Sequence, residues 1–136
     1  MNILLGSTAT LSLQIKDEHI RGFAQLMGDD NPVHLDDEFA ARTRFGRRIA
    51  HGNLAAAMVS RLLGTKLPGP GTIYLSQSLR FHGPVFPGDV LVATVTVTKI
   101  REDKPIITLA TVCSKEDGTA VLSGEATVLY EEVPNR

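Results

Sequence analysis

Tryptophan is absent from this chain, cysteine occurs once, and aromatic residues amount to only 5%. The single thiol, Cys113, cannot close an internal disulfide, so a disulfide-stapled secreted scaffold is excluded and a reducing compartment is expected. Charge of either sign is not in excess: 14 Lys and Arg stand against 15 Asp and Glu, a net charge of −1. Such a balance lacks the basic footprint that nucleic acid or an anionic membrane surface requires. No run approaches the ~20 apolar residues of a membrane span. The opening Met1-Asn2-Ile3-Leu4-Leu5-Gly6 has no basic start, and its apolar run is too short for a signal peptide. Repeats, linkers and low-complexity segments are also missing. These absences leave one soluble domain over residues 1–136, cytoplasmic by default, with no nucleic-acid or membrane partner.

Hydrophobic residues make up 43% of the 136 residues, enough for a proper core. Thr8 to Ile15 alternates and reads as a strand, with Ala9, Leu11, Leu13 and Ile15 on one face. Asp17 then predicts an N-cap for a helix with Ile20, Phe23, Ala24 and Met27 at i, i+3, i+4, i+7, stopped by Gly28. His19 within it reads as a surface residue. Asp36-Asp37-Glu38 opens a second, short helix through Phe39, Ala40 and Ala41. Asn53 to Leu63 has no clear polar face and predicts a buried helix, ended by Gly64.

From Thr72 the pattern becomes extended. Ile73, Leu75, Leu79 and Phe81 alternate along a first long strand, with Gln77 at the intervening inward position. Val90–Ile100, Ile106–Ser114 and Ala120–Tyr130 follow, the last two joined by a tight turn at Asp117-Gly118. A strand, several helices and four antiparallel strands predict an α+β fold in which a long sheet wraps one apolar helix.

The chemistry centres on Asp29-Asp30-Asn31-Pro32-Val33-His34. Pro32 sets its own φ and pushes Asn31 out of the α region, so the first helix ends and the chain bends. A carboxylate and an imidazole, Asp29 and His34, can converge across that bend, and together they can move protons around a bound water. Two carboxylates at the negative end of a helix dipole are disfavoured by about 0.3–1 kcal/mol each, an odd choice for a plain turn. Asp-Asn-Pro is nonetheless good turn chemistry, so a structural reading stays open. Arg42, Arg44, Arg47 and Arg48 crowd a segment that is otherwise a solvated loop, and one or two of them could meet an anionic ligand. His19, His51 and His82 show no metal-ligand spacing, and no metal is expected; His51 reads as a buried residue that fixes its loop. Gly52 precedes the apolar helix, where free N–H groups and the positive dipole end suit a developing oxyanion.

The motifs Asp29-x-Asn31-Pro32-x-His34 and Phe45-x-Arg47-x-Ile49-Ala50-His51-Gly52 resemble those of the MaoC-like (R)-specific enoyl-CoA hydratases. The resemblance runs over nearly the whole chain and includes Tyr74-Leu75-x-Gln77-Ser78-Leu79 and Arg101-Glu102-Asp103-Lys104-Pro105. It is nearest to the short single-domain members that supply monomers for polyhydroxyalkanoate synthesis. It implies the hot dog fold, a homodimer, an acyl-CoA thioester substrate and no cofactor beyond the CoA of that substrate. It further implies that Asp29 and His34 activate a water and that the Gly52 N–H binds the thioester oxygen. Asn31 and Ser60 would support the pair, although Ser60 could equally bond back along its own helix. Met58 and Leu63, with Leu62 and Val128, are candidates for the acyl slot, and Arg47 and Lys104 for the CoA phosphates. Asn53 and Arg48 replace residues common in the family and, lying near the expected entrance, bear on acyl-chain preference. Rival readings are a 3-hydroxyacyl-ACP dehydratase, a hot dog thioesterase and a non-catalytic acyl-thioester-binding module.

Overall fold

In the computed structural model, residues 3–133 are described, so Met1 and Asn2 of the opening segment lie outside them. In chain order the elements are β1 (Thr8–Gln14), α1 (Asp17–Met27), α2 (Pro32–Leu35), α3 (Asp37–Ala41), α4 (Gly52–Thr65), β2 (Ile73–Gln77), β3 (Arg80–Phe81), β4 (Val90–Ile100), β5 (Ile106–Lys115) and β6 (Ala120–Leu129). The strands form one antiparallel sheet in the order β1-β4-β5-β6-β2, with β3 also paired to β6. Period-two alternation buries Leu91, Ala93, Val95 and Val97 of β4 beside Leu109 and Cys113 of β5. Against this face α4 lays Ala55, Met58, Val59, Leu62 and Leu63, resting chiefly on β4. Burial pushes the Cys113 thiol up to about 11, so it is a small apolar filler and not a nucleophile.

Several expectations need correction. The N-cap of α1 is Lys16, not Asp17, and its backbone N–H donates to His19 Nδ1 at 2.9 Å, so His19 closes the helix start and is more than a surface residue. Met27 is 63% exposed, and the helix buries Ile20 and Ala24 instead. It does stop at Gly28. The α4 helix runs through Gly64 to Thr65, and Asn53, Ala57, Ser60 and Arg61 along one side are exposed. Consecutive alanines made every side of it look apolar, although a methyl group gains little from burial. The expected first long strand is two pieces, β2 and β3. Ser78 bulges onto β6, its N–H donating to Glu125 O and its Oγ accepting from Glu125 N–H, both at 2.9 Å. The carbonyl of Ser78 approaches Gly124 so closely that a Cβ there would sit 1.8 Å from it. Gln77 does take its inward position, with Nε2 donating to Thr111 Oγ1 at 2.9 Å.

The three short helices form a flap held by Arg48. Its guanidinium meets Asp17 of α1 and Asp37 of α3 at 2.7 Å each, and it also donates to the His34 carbonyl of α2 at 3.2 Å. Arg48 is thus a clamp between the three helices. The Arg48 guanidinium, followed by that of Arg21, holds the Asp17 carboxyl below the usual carboxylate range. A carboxyl held low in the folded state stabilises above its unfolded value, and that contribution disappears as pH falls through the folded one. Both aspartates are largely open to water, which screens the pairs, so Arg48→Met should cost about 0.5–1 kcal/mol near neutrality and progressively less in acid. Thermal melts of both proteins from pH 7 downward check this, and an equal gap at every pH would contradict it.

Candidate active site

His34 is placed by a cap. Asn31 Oδ1 accepts the Val33 N–H at 3.1 Å and Pro32 occupies the first turn, so the predicted bend is the N-terminus of α2. Asn31 itself is exposed and acts by setting the helix that carries His34. The His34 ring is buried, and its Nδ1 lies 2.7 Å from the Ile49 carbonyl. A carbonyl only accepts, so the proton sits on Nδ1 and Nε2 presents a lone pair. Burial lowers the His34 pKa, partly opposed by the Ile49 bond; His51 lowers it further and Asp29 raises it. The ring is therefore held in its neutral, proton-accepting form to lower pH than a free imidazole.

Asp29, exposed at the end of α1, comes back to this ring. Side-chain ligand atoms of Asp29, His34 and His51 all lie within 4.8 Å of one another. The rings of His34 and His51 stack at 3.9 Å between centroids with a 33° tilt. His51 caps α4 without a side-chain cap bond, and Gly52 is the first helical residue, whose N–H the helix does not use.

His34 and Gly52 share a cavity of about 450 Å³ whose wall includes Arg44, Phe45, Phe81 and His82. Phe81 lies against Gly52: an added Cβ would sit 2.8 Å from its Cε1 atom. Glycine here lets both the ring and a ligand approach the backbone. A second, strongly apolar cavity of about 410 Å³ lies between α1 and α4, lined among others by Phe23, Leu26, Leu54 and Met58.

The other expected contacts are not brought to the His34–Gly52 cavity. Met58 lines the second cavity, while Leu62, Leu63 and Val128 are sealed in the core. Ser60 and Asn53 stand on the exposed side of α4. Arg47 stacks its guanidinium over Phe86 at 3.9 Å, and Lys104 is an exposed turn residue. Arg44, from the same cluster, is the arginine that lines the cavity. Phe81 and His82 were missed because they lie far along the chain, and only the pairing of β3 with β6 brings them near. His51 is buried as expected, at 3% exposed, whereas its approach to Asp29 and His34 has no signature in spacing.

An antiparallel sheet wrapped on a helix, with an Asp–His pair and a glycine N–H at that helix's start, defines a hot dog domain of the hydratase type. Known proteins agree. The family described as MaoC like domain matches residues 6–118, and the chain belongs to it. The chain is 50% identical over 124 residues to an (R)-specific enoyl-CoA hydratase of Aeromonas caviae, covering 91% of this chain and 92% of that protein. The solved structure of an (R)-hydratase from A. caviae involved in PHA biosynthesis superimposes with a TM-score of 0.91 at 48% identity, over 95% of this chain and 98% of that one. A mitochondrial 3-hydroxyacyl-[acyl-carrier-protein] dehydratase of Solanum lycopersicum is 36% identical over 96% of this chain and 82% of its own length.

Proposed function

We propose that this protein is an (R)-specific enoyl-CoA hydratase, adding water reversibly and syn across the double bond of a trans-2-enoyl-CoA. The observation that carries the reading is the approach of the Asp29 carboxylate to the His34 ring, whose Nδ1 is engaged by the Ile49 carbonyl, with Gly52 lining the same cavity as His34. The Gly52 N–H takes the thioester oxygen, draws charge onto it and leaves C3 electrophilic. A water between Asp29 and His34 attacks C3 as the pair accepts one of its protons. The same pair returns a proton to C2 from the same face, so one water is consumed and the pair ends as it began. No metal or separate cofactor takes part in this scheme; CoA belongs to the substrate. Arg44 lines the same cavity, and its guanidinium would suit a phosphate of the CoA.

A second copy of the chain completes the proposal. β2 ends the sheet, and Ile73 and Leu75 on it are 54% and 50% exposed, with Phe81 of the adjoining β3 at 51%. An apolar terminal strand of this kind pairs readily with its own copy. Sedimentation should give twice the chain mass, and Leu75→Lys should shift it toward the monomer. A wild-type monomer at micromolar concentration would contradict the pairing. Among the described residues no helix is long and apolar enough to cross a membrane.

The activity is tested with crotonyl-CoA by loss of the conjugated enoyl-thioester absorbance and chiral analysis of the alcohol. An (R)-3-hydroxyacyl product supports the reading. Turnover only with the enoyl group on acyl carrier protein would favour the dehydratase alternative, for which the plant relative speaks. A thioesterase would release free thiol, which the same reaction mixture reports.

A further inference from the structure

We propose that His51 is a positioning residue for the hydration above, its imidazole tying the backbone of Asp29 to the ring of His34 so that both act on one water; the inference rests on that function. The ring is wedged between two others, 4.7 Å from Phe23 and 3.9 Å from His34 between centroids. From this slot His51 Nε2–H donates to the Asp29 carbonyl at 3.0 Å. Asp29 lies between the end of α1 and the cap of α2, exposed and outside any helix. A single buried side chain thus sets the Asp29 backbone against the His34 ring, two groups from different elements.

The other nitrogen makes the case sharper. His51 Nδ1 is sealed from solvent and has no hydrogen-bond partner among the described residues. An orphaned buried acceptor of this kind is destabilising, because the water it bonded in the unfolded chain is not replaced. Phenylalanine would fill the same slot, stack on both neighbours and leave no orphan. What the imidazole adds is the Nε2–H, and that N–H goes to Asp29. Misplacing a reacting group by about 1 Å can cost roughly 100-fold in rate, which sets the scale of what the tie secures.

The test uses the full chain with His51→Phe, which keeps the ring and removes the donor, and His51→Gln, which keeps an N–H and removes the imidazole. One readout is the NMR titration of the His34 ring. The charged or titratable groups around it are Asp29, His51, Arg48 on its carbonyl, and Arg44 and His82 across the cavity. The His51 ring beside it lowers the His34 pKa, so both variants should move the His34 titration to higher pH. The second readout is crotonyl-CoA turnover. His51→Phe should lose about 10- to 100-fold in kcat with KM changed less than about threefold, and His51→Gln should recover most of that loss. Equal losses in both variants, or wild-type kcat in His51→Phe, would overturn the positioning role, as would an unmoved His34 titration. If His51→Phe does not fold, His51→Gln decides alone: its His34 titration must rise while kcat stays within about tenfold of wild type. A wild type without turnover would remove the hydratase reading, whereas the NMR arm still reports whether His51 is coupled to His34.

Discussion

Asp29→Asn should lower kcat for crotonyl-CoA hydration by about 100- to 10,000-fold, the usual contribution of a positioned acid–base group. Asparagine is nearly isosteric, and Asp29 is exposed, so fold and cavity should be unchanged. What is lost is the carboxylate that, in the proposed scheme, shares a water with His34. Binding of a saturated acyl-CoA, measured by calorimetry, should stay near wild type because the Gly52 N–H and the cavity walls remain. A variant that loses binding and turnover together would show that Asp29 holds the site open and does not serve in the chemistry.

His34→Asn is the companion experiment, chosen for what it preserves. An asparagine amide reaches the place of the imidazole Nδ1, so the hydrogen bond to the Ile49 carbonyl survives while Nε2 disappears. Turnover should again fall by about 100- to 10,000-fold with folding retained. The pH dependence gives a second check. Burial lowers the His34 pKa in the folded protein, so the unfolded chain takes up that proton first as the solution is acidified. His34 therefore withdraws stability as pH falls from the ordinary imidazole range through its lowered folded value and has no such effect above that range. The asparagine variant should lose this acid-induced decline in the melting temperature. In wild type, kcat/KM should decline on the acid side at a pH below that of a free imidazole, since the neutral ring is the active form. An acid limb at or above that value would contradict the buried, neutral base.

The elements that read well from sequence are those with local causes. β4 and the Asp117-Gly118 hairpin follow from alternation and turn chemistry, and α3 follows from Asp36, whose Oδ1 caps it at Glu38 and Phe39. Asp29 and His34 were close enough in sequence for their convergence to be argued from Pro32 and the end of α1. Distance along the chain limited the rest. Arg48 looked like one more arginine in a loop, and its two aspartates sit 31 and 11 residues away. Phe81 reaches Gly52 only because β3 pairs with β6. Leu62 and Leu63 fit an acyl slot by pattern, but a helix facing substrate and a helix facing core have the same apolar pattern, and here both face the core. Which arginine of the cluster lines the cavity was likewise not legible, since neighbouring loop residues point in directions that no periodicity records: Arg44 lines it and Arg47 stacks on Phe86.

The most direct test of the account is hydration of crotonyl-CoA in deuterated water, with the relative configuration at C2 and C3 read by proton NMR. One pair acting on one water delivers the hydroxyl to C3 and deuterium to C2 from the same face. The account predicts a single diastereomer, the syn adduct with (R) configuration at C3. An anti adduct, or a mixture of both configurations at C2, would mean that the two protons are handled from different sides of the substrate, and Asp29 and His34 could not then be sharing the work.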